Sequence, residues 1–139
     1  MRTMRILCVL VALFGALGLQ AAGPEQNAVV AKVPFAFTVG EKMLPAGVYT
    51  IAPGAVRLLW IRGDSWRDSA NVLVIPANAG KARAKGALVF HKYGRSYFLR
   101  EVWTGGVDQG ARIRESKAER EYLRAAVPER VHVAVAAFR

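Results

Sequence analysis

The chain has 139 residues, 20 Lys and Arg against 10 Asp and Glu, 53% hydrophobic and 9% aromatic side chains. That length and apolar content allow one globular domain and exclude a disordered tail or a repeat array. A formal net charge of +10 directs attention to acidic partners.

Met1 to Arg5 carries two positive charges and leads into an unbroken non-polar run, Ile6 to Leu19, followed by Ala21-Ala22-Gly23. This is the layout of a secretory signal peptide. The run has 14 residues, short of the roughly 20 that a permanent span needs. The expectation is therefore a cleaved signal peptide over residues 1–22, export to the periplasm or beyond, no permanent membrane span after cleavage, and one β-rich domain over 23–139. Without the leader, 18 basic and 10 acidic side chains remain. Cys8 leaves with it, so a disulfide framework, a Cys-ligated metal and a thiol nucleophile are excluded from the mature domain.

From Ala28 onward the apolar residues alternate. Val33, Phe35 and Phe37 share one side of an extended segment, with Pro34 marking a strand start or edge. Leu44-Pro45-Ala46-Gly47 predicts a type II turn, leading into a strand at Val48 to Ile51 that Pro53-Gly54 ends. Val56 to Ile61 and Asn71 to Ala77 predict two more strands, separated by a polar stretch from Arg62 to Ser69. After a basic loop over Asn78 to Gly86, Ala87 to Lys92 and Ser96 to Trp103 flank Tyr93-Gly94-Arg95 as a β-hairpin. Gly105, Gly106 and Gly110 break the pattern. Ser116-Lys117-Ala118-Glu119 is a capping box and predicts a helix over Lys117 to Ala126 that buries Ala118, Tyr122 and Ala125, with Pro128 forbidding continuation. Val131, Val133 and Val135 then share one face of a last strand, with His132 on the other. The sum is a mainly β fold, an antiparallel β-sandwich or small barrel of about seven strands with one short helix in the C-terminal half.

Val33-Pro34-Phe35-Ala36-Phe37, Leu44-Pro45-Ala46-Gly47-Val48-Tyr49-Thr50-Ile51, Leu88 to Gly94, Tyr97-Phe98-Leu99, Val102-Trp103 and Ser116 to Glu121 together resemble a family of small exported proteins common in acidobacteria and related soil bacteria. The resemblance spans most of residues 33–124. It implies export and a compact mostly-β domain, and it assigns no catalytic or binding residue.

The chemistry-bearing residues are sparse. His91 and His132, with Glu101, are the only combination that invites a metal, and their spacing does not support one; no metal and no cofactor is expected. Ser65, Ser69, Ser96 and Ser116 lie in no nucleophile elbow. The carboxylates, Asp64, Asp68 and Glu101 among them, are scattered rather than paired, and no phosphate loop exists. The basic residues carry more information. Lys81, Arg83 and Lys85 alternate with alanines and would project to one side of an extended segment, with Lys92, Arg95 and Arg100 on the neighbouring hairpin completing an anion-binding patch. Tyr93, Tyr97 and Trp103 nearby resemble a stacking surface for single-stranded nucleic acid, but export makes nucleic acid an unlikely partner and favours anionic envelope or extracellular polymers. Trp60 and Trp103 read as core, whereas Trp66, in a polar loop, is the candidate exposed aromatic. The leading expectation is a non-enzymatic exported binding domain. The alternatives are a small hydrolase or carbohydrate-active enzyme with a site assembled from distant residues, and a structural or assembly role through a free sheet edge.

Overall fold

The computed structural model describes residues 28–54 and 56–137. The expected signal peptide and Cys8 lie outside the described residues. The alternating pattern folds into β1 (Val29–Val33), β2 (Phe37–Val39), β3 (Lys42–Leu44), β4 (Gly47–Pro53), β5 (Leu58–Arg62), β6 (Ser69–Asn78), β7 (Ala87–Tyr93), β8 (Ser96–Trp103), β9 (Gln109–Ile113), α1 (Lys117–Ala125), β10 (Glu129–Ala134) and β11 (Ala136–Ala137). No helix among the described residues is long and apolar enough to cross a membrane.

The fold is mainly β, as expected, and its strands form a mixed rather than purely antiparallel sheet. The path runs β10-β7-β8-β9-β6-β5-β4-β1-β11. The ten-residue β6 turns the corner between two sheets: Ser69 to Leu73 pair with β5 in the first, which holds β11, β1, β4 and β5, and Val74 to Asn78 pair with β9 in the second, which holds β9, β8, β7 and β10. The β2–β3 hairpin adjoins β8 through one parallel pairing, Thr38 with Phe98. The C-terminal segment serves both ends of the path, with β10 on β7 and β11 on β1.

Where the strands keep their alternation, every second residue faces the space between the sheets. Val29, Ala31, Val33, Tyr49, Ile51, Leu59, Ile61, Leu88, Phe90 and Ile113 meet there. Phe37 joins the layers, edge-on to Tyr49 at 5.2 Å and to Phe90 at 5.3 Å between ring centroids, an arrangement the ring quadrupoles favour.

Several local expectations change. Neither Ala46, the third residue of the expected turn, nor Gly47 takes up positive φ, so Leu44 to Gly47 is not a type II turn. Gly47 instead opens β4, and the buried Tyr49 donates its hydroxyl hydrogen to the Pro45 carbonyl, which holds the bend. The hairpin turn is tighter than expected: Tyr93 pairs with Ser96, and Gly94 at φ +60° occupies the first central position of a II′-type turn. The glycine-rich stretch after Trp103 contains a strand, β9. Gly110 lies opposite Trp103, and a Cβ there would come within 2.5 Å of the indole Cε3. The glycine that reads as a breaker is the seat of the Trp103 ring. In α1, Ala118 and Ala125 are exposed and Tyr122 is 42% exposed, whereas Glu119 is 1% exposed. The helix therefore docks through the Glu119 carboxylate and, of the expected face, through Tyr122, whose ring lies 5.4 Å from that of Tyr93 and 5.7 Å from that of Phe98 between centroids.

Candidate functional site

A β-bulge in β8 builds the site. Val89 pairs with Glu101 and Phe90 with Leu99, so Arg100 has no partner across the ladder and is the extra residue that re-aims its neighbours. Leu99 and Val102 both reach the core. Arg100 and Glu101 between them both lie on the outer face of the second sheet, where α1 packs.

The helix start supplies the counter-charge. Ser116 Oγ accepts from the Glu119 amide at 3.1 Å, which is half of the expected capping box. The Glu119 carboxylate does not complete it. Tyr93 donates to Oε1 at 3.1 Å and Arg100 Nη1 donates to Oε2 at 3.0 Å. His91 Nδ1 stands 3.2 Å from Oε1 but outside hydrogen-bond alignment. A carboxylate this deep is tolerable only because a guanidinium and a phenol meet it. Burial, followed by the Glu119 charge, raises the Tyr93 pKa. Burial lowers that of His91 against the opposing pull of Glu119, so the imidazole is held towards its neutral form. With Glu119 sealed beneath the helix, this cluster ties α1 to the sheet.

Beside it lies a surface depression of about 280 Å³ where Arg100, Arg112, Arg114 and Arg120 converge with Glu115. The groups come from three elements: the β8 bulge, the end of β9 with its following loop, and α1. Ile75 and Ile113 form the apolar part of the wall. Arg100 is 8% exposed. Its Nη2 is 3.6 Å from Glu115 Oε1, a long contact with a side chain that is 42% exposed, and its buried Nε has no hydrogen-bond partner.

Cationic groups continue along the same face. Arg130 Nη2 lies 3.3 Å and Arg112 Nε 4.0 Å from the Glu101 carboxylate. Trp103 Nε1 donates to that carboxylate at 2.7 Å, and the Arg83 guanidinium covers the Trp103 ring at 4.3 Å from its centroid, an attractive cation–π placement.

The structure separates the six basic residues singled out in the sequence. Lys81 and Lys85 are exposed in the loop before β7. Arg83 is fixed there by backbone bonds, its amide to the Val107 carbonyl at 3.1 Å and its carbonyl from Gly106 at 2.7 Å. Lys92 stands 3.8 Å from Glu129 and over Tyr97. Arg95 sits at the tip of the β7–β8 hairpin, beside Tyr97 and Tyr122. It is separated from the Lys81 to Lys85 loop by the length of β7, roughly 20 Å at ~3.3 Å per residue. Arg100 is buried against Glu119. These residues do not form one patch, because an extended hairpin spreads its two ends apart. Trp66 is 79% exposed in a short 3-10 turn, Trp66–Asp68, with the Arg67 guanidinium 5.4 Å from its ring centroid. His91 faces Phe98 across the hairpin, while His132 and Glu101 flank Val89 from opposite sides. Among the described residues no group of three or more His, Asp and Glu could hold a metal.

The sequence reading missed Arg112, Arg114, Glu115, Arg120 and the role of Glu119. Arg112 and Arg114 show the alternation that drew attention to Lys81, Arg83 and Lys85. Gly110 concealed it by disguising β9 as a loop.

A larger cavity, about 530 Å³, opens at one end of the sandwich. Its walls include Val29, Ile51, Leu59 and Val102, with Asp108 as the charged member, a chemistry opposite to that of the guanidinium face. No protein-family model, curated protein or solved structure matches the chain.

Proposed function

We propose that the chain is an exported, non-enzymatic β-domain that binds anionic polymers of the cell envelope or its surroundings through the outer face of the second sheet. The observation that carries this reading is the excess of guanidinium groups there: Arg83, Arg100, Arg112, Arg114, Arg120 and Arg130 against Glu101, Glu115 and Glu119. Guanidinium groups suit such a face because they remain charged and present planar forks to oxyanions. Regular sheet and a tied-down helix hold several of them in fixed relation, which lowers the ordering cost of binding. The signal-peptide pattern supports an envelope partner over intracellular nucleic acid.

The test is a salt titration of binding to lipopolysaccharide, an acidic polysaccharide and single-stranded DNA. Binding should weaken as salt rises, because displaced counterions supply much of its driving force. It should fall in an Arg83→Ala/Arg130→Ala variant more than in a Lys32→Ala/Arg62→Ala variant, which removes equal charge elsewhere. Equal loss in both variants, or no salt-sensitive binding to any polymer, would overturn the reading. Preferential capture of DNA would overturn the envelope assignment.

A further inference from the structure

The depression between the β8 bulge, β9 and α1 is more than one stretch of a basic face. We infer that it is a discrete site for a tetrahedral oxyanion, a phosphoryl or sulfuryl group, gripped by Arg100, Arg112, Arg114 and Arg120. The inference rests on the proposed polymer-binding face and names the group recognised there.

Three observations converge on this assignment. First, four guanidiniums share one depression with a single carboxylate, Glu115. Arg114 and Arg120 are both exposed and have no ion-pair partner within 4.0 Å among the described residues. Like charges that line one depression repel one another and gain from an added anion. Second, Arg100 is held in place from behind. Glu119 takes Nη1 at 3.0 Å, which leaves the Nε and Nη2 edge of the guanidinium uncommitted. That edge is the fork that grips two oxygens of one phosphate or sulfate. Its Nε is buried without an acceptor, and a buried donor of a charged group left unmatched carries a desolvation cost that calls for an explanation. Third, the carboxylate beside that edge is weakly held. Glu115 Oε1 lies 3.6 Å from Nη2, and the side chain is 42% exposed. It is placed as an internal stand-in that an incoming oxyanion displaces, and its movement would uncover the fork.

The shape of the ligand follows from where the guanidiniums originate. Arg100 comes from the bulge, Arg112 and Arg114 from β9 and the loop after it, and Arg120 from the helix. A carboxylate is planar and engages one fork. A phosphoryl or sulfuryl group offers three terminal oxygens spread over a wide arc, which suits guanidiniums supplied by three separate elements. Ile75, paired across the ladder with Arg112, lines the depression with apolar surface and strengthens the charge-assisted bonds beside it.

The test uses small ions, so that it stands apart from polymer binding. The purified protein is titrated by calorimetry with inorganic phosphate, inorganic sulfate and acetate at constant ionic strength. Saturable binding of phosphate or sulfate is expected, with acetate binding at least about tenfold weaker, a difference of about 1.4 kcal/mol. Arg114→Ala/Arg120→Ala, at two exposed positions, should lose about tenfold or more in affinity, whereas Lys32→Ala/Arg62→Ala should lose little. Arg100→Lys keeps a positive partner for Glu119 but removes the fork, and should also weaken binding. The stronger of the phosphate and sulfate arms identifies the ester class, and equal strength supports the shared tetrahedral chemistry. Acetate binding as tightly as phosphate, or unchanged binding in the Arg114→Ala/Arg120→Ala variant, would overturn the site. Polymer retention without phosphate or sulfate binding removes the discrete site and leaves the face. Phosphate or sulfate binding without polymer retention does the reverse.

Discussion

His91 shows how burial and charge compete at a single side chain. Burial lowers its pKa while Glu119 beside it pulls the other way, and burial prevails. An imidazole with a folded-state pKa below its unfolded value binds fewer protons when folded, so folding stability falls as pH drops through the unfolded value of about 6.5 and levels off below the folded one. Chemical denaturation of the wild type across mildly acidic pH should show this decline. In His91→Gln, which keeps a neutral polar group beside Glu119, the part of the slope that begins near pH ~6.5 should flatten. An identical slope in the two proteins would mean that the titrating group lies elsewhere. The sequence marks His91 as a histidine in a strand but says nothing of Glu119, whose arrival depends on how α1 docks from 26 residues beyond Tyr93. Such a pairing belongs to tertiary structure, and no spacing rule along the chain encodes it.

The elements that were legible are those whose local chemistry agrees with their final setting. The β7–β8 hairpin combines alternating apolar residues with a glycine at the turn. Alpha helix α1 has a serine cap, good helix formers and a proline beyond its end. Strand β9 was illegible because its glycine answers to a neighbour rather than to its own strand. The Trp103 ring occupies the place of a Gly110 side chain, so the local preference against β structure is overridden across the ladder. Gly110→Ala should therefore destabilise the domain by about 1–3 kcal/mol, the usual range for forcing an added carbon into a filled space. Thermal or urea denaturation measures it, and a neutral or stabilising result would show that the indole moves aside at no cost. The bulge was illegible for a related reason. Leu99-Arg100-Glu101-Val102 departs from period two, and only the partner register identifies Arg100 as the extra residue. The guanidinium site depends on that residue, so the most informative part of the molecule sits where the simple alternation fails.

At the scale of the whole molecule, mainly β architecture with one late helix was readable from the spacing of short apolar runs. The count of about seven strands fell short of eleven because three-residue β2 and β3 and two-residue β11 are too brief to show a period, and because glycine hid β9. The path through the sheets was not readable, since every ladder beyond the hairpins joins residues far apart in the chain. The longest of these pairs Val29 with Ala137 and Val30 with Ala136. Domains dominated by such distant pairings fold in roughly milliseconds to seconds, and stopped-flow refolding should fall in that range. Microsecond refolding would show that the terminal ladder is not part of the barrier. The same ladder has a consequence for a chain delivered through a membrane from its N-terminal end, as we propose. Strand β1 emerges before every other described strand, yet its β11 neighbour emerges after all of them. The β1–β11 ladder therefore cannot form until every other described strand has been delivered, and the order of the strands itself leaves that edge open through the delivery of all of them.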